Sequence, residues 1–305
     1  MLVTLIHNPG AGDQDEDGVS LRKLLRDAGH EVRYQSAKQD GWKRALKKPA
    51  DLIVIAGGDG TVGRVVRRVA DRGIPLALLP SGTANNIARS LEQVERPFEE
   101  LVRGWEKARR VKLDVGVAKG PWGERNFIEG VGFGLFAGLL ASTETERKTD
   151  RKSKSGSSAD KVESALRRLK EDAERFEAVE VSARLDGKDL SGHYLMLEAL
   201  NLCCVGPNMR LAIDSVPGDG EFEVVLVTED ERERLVHYLE SWQDNRERLA
   251  VLPSHRGKRL QIEWTGFPLH IDDKLYPKKD PAPSEIAGPV EARLEGAAVE
   301  FLMPE

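Results

Sequence analysis

Cysteine and long apolar runs are scarce in this chain of 305 residues. Its two cysteines, Cys203 and Cys204, are adjacent, and adjacent cysteines by themselves form neither an ordinary disulfide nor a zinc site. No apolar run approaches the roughly 20 residues that a membrane-spanning helix needs. The apolar start, residues 1–6, stops at His7 and is too short for an export signal. A reducing, cytoplasmic location is therefore expected.

Excess positive charge is also missing. The 46 Lys and Arg residues are outnumbered by 51 Asp and Glu, which gives a formal net charge of −5. This balance argues against a dedicated nucleic-acid binder, because such proteins usually carry a basic field. The hydrophobic content of 40% is typical of a globular protein, and the length is sufficient for a large core and two domains.

The first third of the chain alternates strand and helix patterns. Short apolar stretches predict strands at 2–7, 30–36, 51–56 and 74–79. Helical periodicity lies between them, most clearly in the valines of 62–69, and a further helix is expected from Ser81 to Leu91. Strands that alternate with short helices predict an open parallel sheet with helices on both faces, an α/β fold.

Beyond residue 114 the pattern becomes strand-rich. Strands are predicted at 111–117, 126–133, 179–185, 193–201, 222–227, 260–264 and 268–271, with helices at 160–176 and 229–249. Residues 290–294 and 298–302 are expected to form a closing hairpin. The sequence thus predicts an α/β domain over 1–117, which 289–305 could complete, and a mainly antiparallel, β-sandwich-like domain over 118–288.

The most informative motif is Gly57-Gly58-Asp59-Gly60-Thr61, between a predicted strand and the valine helix. Glycines there expose backbone N–H groups at a helix N-terminus, where the helix dipole also favours an anion. An acid within an anion site indicates a cation shared with that anion. A nucleotide polyphosphate with Mg²⁺ meets both demands, whereas a glycine turn that only redirects the chain is the simpler alternative.

Two more glycine loops, at 8–12 and 80–86, follow other strands of the first domain. Ligands of open α/β sheets bind at the carboxyl ends of the strands, so the three loops are expected to meet in one crevice. Residues 58–63 also match the dinucleotide pattern G-x-G-x-x-G. That pattern normally follows the first strand, and the strand after it here ends without an acid for a ribose, so an oxidoreductase is disfavoured.

With Leu79-Pro80-Ser81-Gly82-Thr83-Ala84-Asn85-Asn86, the Gly57–Thr61 run resembles the diacylglycerol kinase catalytic domain family, which includes soluble bacterial lipid kinases and sphingosine kinases and is related to NAD kinases. Residues 205–212, 217–222 and 269–273 are similar to later segments of the family. The resemblance implies an enzyme that uses ATP and Mg²⁺ to phosphorylate the hydroxyl of diacylglycerol or a related lipid alcohol.

The resemblance also implies roles for individual residues. The implied nucleotide-binding residues are Asn8, Gly10, Ser36, Gly57, Gly58, Asp59, Gly60, Thr61, Val62, Gly63, Arg64, Gly82 and Thr83. Asp59 and Asp114 correspond to acids that organise Mg²⁺ through water, and Asp219 to a region that can hold a second, structural Mg²⁺. Asp272 corresponds to the proposed general base. Asp114 and Asp219 also fit ordinary turn or salt-bridge acids.

Three positions depart from the family pattern. Asn86 stands where many members have an acid, Glu129 where an amide is frequent, and Lys274 replaces a glutamate common after the base. These changes are compatible with a variant substrate or with nucleotide binding without turnover. NAD kinase-like phosphorylation of a soluble substrate and a non-catalytic nucleotide-binding regulator therefore remain alternatives.

A basic segment indicates how the protein could meet its substrate. Residues 147–158 hold five basic residues and one acid, a net charge of +4. The segment is either a solvated loop or a contact with an anionic membrane surface, worth about 1 kcal/mol per basic residue near the lipid. We expect a cytoplasmic protein peripheral at the membrane. A homodimer is left open.

Overall fold

Strands alternate with helices throughout the first third of the chain in the computed structural model. The elements of residues 1–108 are β1 (Leu2–His7), α1 (Gly18–Asp27), β2 (Glu31–Ser36), α2 (Trp42–Ala45), β3 (Leu52–Gly57), α3 (Asp59–Val69), β4 (Leu76–Pro80), α4 (Asn86–Ser90) and α5 (Phe98–Gly104). The structure describes residues 1–13, 17–70, 72–149, 156–243, 251–278 and 282–304.

These strands form a parallel sheet in the order β2–β1–β3–β4. Residues of α1 and α5, among them Leu25 and Leu101, pack in one cluster with Leu5 and Val54 of the sheet. α3 contacts β3 and buries its valines. The structure confirms the predicted open parallel sheet of the N-terminal part, because all three strand pairs in this order are parallel.

Strands dominate the remainder of the chain. Its elements are β5 (Arg109–Gly120), β6 (Gly123–Phe127), β7 (Gly130–Gly134), α6 (Leu135–Thr149), α7 (Ser158–Ala173), β8 (Val179–Leu185), β9 (Lys188–Asp189), β10 (Gly192–Leu200), β11 (Cys204–Val205), β12 (Met209–Arg210), β13 (Phe222–Thr228), α8 (Arg232–Gln243), β14 (Ser254–Gly257), β15 (Arg259–Trp264), β16 (Leu269–Ile271), β17 (Lys274–Tyr276) and β18 (Gly288–Met303).

The chain divides into two compact units. The first joins Met1–Val115 to Pro217–Asp219 and Gly296–Glu305, and the second joins Gly116–Val216 to Gly220–Glu295. In the second unit the pairing is antiparallel: β7 lies between β10 and β16, and β10 also pairs with β8 and β13. The antiparallel C-terminal sheet is therefore confirmed.

β10 is buried along nearly its whole length because it contributes to two apolar clusters of the second unit. Leu197 and Ala199 join a cluster that contains Phe133 and Trp264. Leu195 and Leu200 belong to a second cluster, with residues of α6, α7 and α8. Helices α6 to α8 thus cover one side of this sheet.

The predicted closing hairpin at 290–302 is wrong. β18 continues through Gly296 as one strand: its first half pairs with β15, and Phe301 pairs in parallel with Leu76 of β4. Two-residue hairpins favour Asn-Gly or Asp-Gly with positive φ, and Gly296 does not have a positive φ. The last residues of β18 therefore join the sheet of the first unit.

Other elements differ in their bounds. The helix expected from Ser81 begins only at Asn86, and the strand expected over 126–133 is interrupted between β6 and β7. Helices α5 and α6 were not anticipated. The helix predicted over 229–249 is α8, preceded by a 3₁₀ turn at Glu229–Glu231; residues 244–250 lie outside the described residues.

The basic segment 147–158 is described only at its two ends. α6 reaches Thr149, and α7 begins after Ser157, whose side chain and Asp160 form a capping box. Residues 150–155 lie outside the described residues, so the membrane contact predicted for this segment stays a prediction. Among the described helices, none has both the length and the apolar character needed to cross a bilayer.

Candidate active site

Three glycine loops meet at the carboxyl ends of β1, β3 and β4. A Cβ added to Gly58 would lie 2.8 Å from the Cα of Gly82, and a Cβ added to Gly12 would overlap the carbonyl oxygen of Ser81. Contacts this short exclude any side chain, so glycine is required for the loops to approach. The structure brings the three loops together, as the sequence predicted.

The second of these loops leads directly into α3. Gly58 is the N-cap residue of this helix, and its carbonyl oxygen accepts hydrogen bonds from the N–H groups of Thr61 and Val62. Thr61 is buried against Gly57, and its hydroxyl accepts a hydrogen bond of 3.1 Å from the Asn8 amide. The first N–H groups of a helix lack partners within the helix, so this end of α3 suits an anion.

Asn85 fixes the conformation of the third loop. Its Oδ1 accepts from the Gly82 N–H at 2.8 Å, and its Nδ2 donates to the Gly82 carbonyl at 2.9 Å. Asn85 itself has a φ of 53°, a left-handed conformation that Asn tolerates. These local bonds compete with helix formation and explain why α4 begins at Asn86 rather than at Ser81. Thr83 lies exposed on this loop.

Asp59 links the second loop to the third. Its Oδ1 accepts a hydrogen bond of 2.9 Å from the N–H of Ile87, in the first turn of α4. The side chain is half-buried and lines a narrow cleft together with Gly58, Pro80 and Asn85. A carboxylate is an oxygen ligand that Mg²⁺ prefers, and here it stands at the N-terminus of α3.

The other two acids predicted to hold Mg²⁺ lie on or beside β5 in the first unit. Asp114 is fully buried, and Asp219 follows Gly218, where an added Cβ would lie 2.5 Å from the carbonyl oxygen of Lys112. Across the described ranges, no three His, Cys, Asp or Glu side chains gather as a metal cluster.

Lys38 is a candidate that the sequence analysis missed. Ser36, at the end of β2, is buried and accepts a hydrogen bond of 3.2 Å from the Lys38 N–H. The Lys38 ammonium reaches the first loop, where a Cβ added to Gly10 would lie 3.2 Å from Nζ. Because β2 pairs in parallel with β1, a basic residue just after β2 could have been expected at this edge.

Arg64, a predicted nucleotide contact, lies on α3 among other basic side chains. Its guanidinium carbon stands 5.4 Å from the ring centre of Trp42, and that of Arg68 stands 4.6 Å from the same ring. The pKa of Arg68 is lowered, mainly by burial and to a lesser extent by the positive charges of Arg67 and Arg64. Trp42 thus holds two cations on one face of α3, in the turns that follow the glycine loop.

Asp272 occupies the tip of the β16–β17 hairpin in the second unit. Its Oδ1 accepts hydrogen bonds from the N–H groups of Glu129 at 2.8 Å and Ile128 at 3.0 Å, and its own N–H donates to the Gly130 carbonyl at 2.9 Å. These bonds replace strand pairing and explain the break between β6 and β7. The side chain is half-buried.

The departure at Lys274 has a local explanation. Its ammonium lies 2.7 Å from the carboxylate of Asp273, and both side chains are largely exposed. An exposed ion pair of this kind contributes about 0–1 kcal/mol. The positive charge that replaces the family's glutamate is therefore paired with the neighbour of Asp272.

A buried pair that the sequence analysis did not identify lies behind the hairpin. Glu198 on β10 and His270 on β16 are fully buried, and Oε2 of Glu198 stands 2.7 Å from Nε2 of His270. Burial raises the pKa of Glu198. Burial lowers the pKa of His270, but the Glu198 carboxylate outweighs this effect, so the pKa of His270 is raised.

Comparison with known proteins bears on this arrangement. Residues 2–118, which contain all three glycine loops and Asp114, match the model of the diacylglycerol kinase catalytic domain. The resemblance inferred from the glycine-loop motifs is therefore confirmed for this part of the chain.

Two proteins that are similar to this chain are named as kinases. "Diacylglycerol kinase" of Bacillus subtilis (strain 168) is 26% identical over 236 residues, which are 73% of this chain and 72% of that protein. "Probable lipid kinase YegS-like" of Cronobacter sakazakii (strain ATCC BAA-894) is 35% identical over 105 residues, which are 30% of this chain and 34% of that protein.

A solved structure described as a diacylglycerol kinase, from Bacillus anthracis strain Sterne, has the same fold. It superposes with a TM-score of 0.68 at 20% identity and covers 99% of this chain and 96% of its own. At this level of identity the likeness shows the fold alone. This likeness confirms the fold class that was predicted from the sequence, that of the diacylglycerol kinases.

Proposed function

We propose that this protein is a lipid kinase that transfers the γ-phosphate of ATP to the hydroxyl of diacylglycerol or a related lipid alcohol. The observation that carries the proposal is the close approach of Gly58 and Gly82 at the N-terminus of α3, beside the Asp59 carboxylate. The match of residues 2–118 to the diacylglycerol kinase catalytic domain supports the same activity. Relatives named diacylglycerol kinase and lipid kinase support the lipid as acceptor.

The glycine loops suit the phosphates of ATP. Loops without Cβ atoms let phosphate oxygens reach backbone N–H groups, and the dipole of α3 favours their charge. The Lys38 ammonium, next to Gly10, adds a positive charge at the same edge. We assign Asn8, Gly10, Ser36, Gly57–Arg64, Gly82 and Thr83 to this nucleotide site.

Asp59 fits a Mg²⁺ ion that would neutralise charge on the transferred phosphate. Asp114 would support that ion through water, and Asp219 is our candidate for a second, structural Mg²⁺. Phosphoryl transfer depends on positioning and charge neutralisation more than on covalent chemistry by the protein. The residues of the first unit therefore bind and orient ATP.

Asp272 is our candidate general base. Its carboxylate, oriented by the N–H groups of Ile128 and Glu129, would accept the proton of the lipid hydroxyl as that oxygen bonds to the γ-phosphorus. The bond from the γ-phosphorus to the β–γ bridging oxygen breaks, and ADP leaves. The proton then passes from Asp272 to solvent, which balances the reaction.

Because a diacylglycerol-like acceptor resides in a membrane, the proposed reaction would take place at a membrane surface. We propose a cytoplasmic protein that contacts an anionic membrane surface transiently, with the lipid carried by the domain predicted over 118–288 and ATP by the domain over 1–117. The net charge of −5 supports the expectation that nucleic acid is not a partner. Homodimer formation stays a prediction.

A substrate panel tests the proposed function. The purified protein is incubated with ATP and Mg²⁺, and with diacylglycerol in mixed micelles, other lipid alcohols in the same micelles, or NAD. We expect phosphate transfer to diacylglycerol or another lipid alcohol, and loss of transfer on chelation of Mg²⁺. Phosphorylation of NAD instead would favour the soluble-substrate alternative. ATP binding without transfer to any acceptor would favour a regulator.

A further inference from the structure

The side chains of Glu198 and His270 approach each other across β7, at a position of that strand that is occupied by a glycine. Gly132 of β7 pairs with Glu198 on one side and with His270 on the other. A Cβ added to Gly132 would overlap Oε2 of Glu198. The glycine thus leaves the space in which the carboxylate and the imidazole come within 2.7 Å of each other.

The contact made by the other ring nitrogen of His270, Nδ1, shows which nitrogen of the imidazole is protonated. Nδ1 lies 2.9 Å from the backbone carbonyl oxygen of Asp272, and a carbonyl can only accept. Nδ1 therefore carries a proton and donates it to this contact. The contact between Nε2 and Glu198 then needs one further proton, held either by the imidazole or by the carboxyl group. In both arrangements the pair is neutral overall, which suits its complete burial.

The bond from Nδ1 restrains a residue in an unusual conformation. Asp272 has a φ of 50°, a left-handed conformation that is disfavoured for most side chains. Its carbonyl accepts from His270, and its N–H donates to Gly130. The ring of Phe136 packs edge-on against the imidazole at 4.8 Å between ring centres and restricts its rotation. Asp272 is thereby fixed on both sides of its Cα.

We propose that Glu198 and His270 are positioning residues, which clamp the Asp272 carbonyl through Nδ1 and so aim the Asp272 carboxylate at the acceptor hydroxyl. The role of the clamp in catalysis rests on the proposed function. The clamp itself is a property of the second unit and is testable without turnover.

Two variants separate the clamp from general stability. In Glu198→Gln, the amide N–H can donate to Nε2 of a neutral imidazole, so the clamp is retained. In the double variant Glu198→Leu and His270→Phe, both polar partners are replaced by apolar groups of similar size. This exchange avoids an unpaired buried charge, which the single variant His270→Phe would create. The double variant therefore removes the donor to Asp272 while a packed core remains.

Amide hydrogen exchange gives the readout that does not need activity. The N–H groups of Ile128 and Glu129 are bonded to the Asp272 carboxylate, so their exchange reports how firmly Asp272 is held. In the double variant we expect their exchange to accelerate by about tenfold or more, with exchange in α1 unchanged as the internal control. In Glu198→Gln it should stay close to the wild-type rate. Unchanged exchange in the double variant would overturn the clamp.

Kinetics test the consequence for turnover. In the double variant we expect kcat for the lipid acceptor to fall by about tenfold or more, because small errors in the position of a catalytic group are costly, while KM for ATP stays the same. Glu198→Gln should keep kcat near the wild-type value. Accelerated exchange with unchanged kcat would refute the positioning role. A wild-type protein inert towards every lipid would refute the proposed function, and exchange would still decide on the clamp.

Discussion

Gly58 and Gly82 lie backbone to backbone, on loops that follow neighbouring strands: a Cβ on Gly58 would stand 2.8 Å from the Cα of Gly82. Neither residue has a positive φ, so the constraint is the closeness of the two chains and not an unusual backbone conformation. Any side chain at either position would push apart the two loops that we assign to the phosphates of ATP.

The first prediction concerns this contact. Gly82→Ala should separate the loops and weaken ATP binding by about tenfold or more, because the N–H groups would no longer converge. Isothermal titration calorimetry measures the affinity. In Gly60→Ala, by contrast, the added Cβ meets no protein atom within 4 Å, so the loops should stay together and the fold should be retained. Wild-type ATP affinity in Gly82→Ala would contradict the assignment of these loops.

A second prediction distinguishes the two neighbouring acids of the β16–β17 hairpin. Asp272→Asn should lower kcat by about 10²- to 10⁴-fold, as expected for loss of a general base, and leave ATP affinity nearly unchanged. Asp273→Asn removes only an exposed ion pair with Lys274 and should retain most of the activity. Steady-state kinetics with titration calorimetry compare the variants. Equal losses in both would remove Asp272 from its assigned role.

The third prediction follows from the Glu198–His270 pair. The folded pair keeps a proton that the unfolded chain releases once the pH exceeds the ordinary His pKa of 6.5, because the pKa of His270 is raised. Its contribution to stability is therefore fully present below pH 6.5 and is lost as the pH rises through the folded pKa. Urea unfolding at a series of pH values should show this decline for the wild type. The double variant Glu198→Leu and His270→Phe should lack it, and a decline of the same size in that variant would assign the effect to other groups.

His30 supplies a fourth prediction with the opposite sign. Burial, together with the charge of the N-terminus, lowers its pKa, so the native state holds the imidazole neutral. The unfolded chain binds the proton first, and stability should fall as the pH drops below 6.5 towards the folded pKa. His30→Phe keeps the stacking on Trp105 and should flatten this part of the profile. Thermal unfolding in weakly acidic buffers makes the comparison, and an unchanged acid slope would contradict the assignment.

The first unit was largely predictable because its signals are local. β1 occupies the predicted residues 2–7, and β3 and β4 begin within two residues of their predicted starts. An apolar strand, a glycine loop and a periodic helix together occupy about 20 consecutive residues. The parallel α/β arrangement follows because this strand–loop–helix unit is repeated along the chain. The convergence of the loops is a consequence of that topology.

The second unit depended on partners that are distant in sequence. The strand predicted over 126–133 breaks at Glu129, whose N–H is bonded by Asp272, 143 positions away. Glu198 and His270 are separated by 72 positions, and neither stands in a motif that would have joined them. Gly132, which makes room for the pair, lies in none of the glycine loops that the sequence analysis singled out. Local sequence patterns do not predict contacts between residues so far apart. The sequence therefore identified Asp272 as a candidate but not the residues that hold it in place.

β18 carries a consequence for biosynthesis. Phe301 pairs with Leu76, the Leu302 carbonyl accepts a hydrogen bond from Gln93, and the Leu302 side chain lies in the core with Leu5. The ribosome synthesises Leu76 long before Phe301. β4 therefore lacks this strand partner until roughly 220 further residues have been synthesised, at about 5–20 residues per second. During that interval β4 has an unpaired strand edge, a feature that makes folding intermediates prone to aggregation.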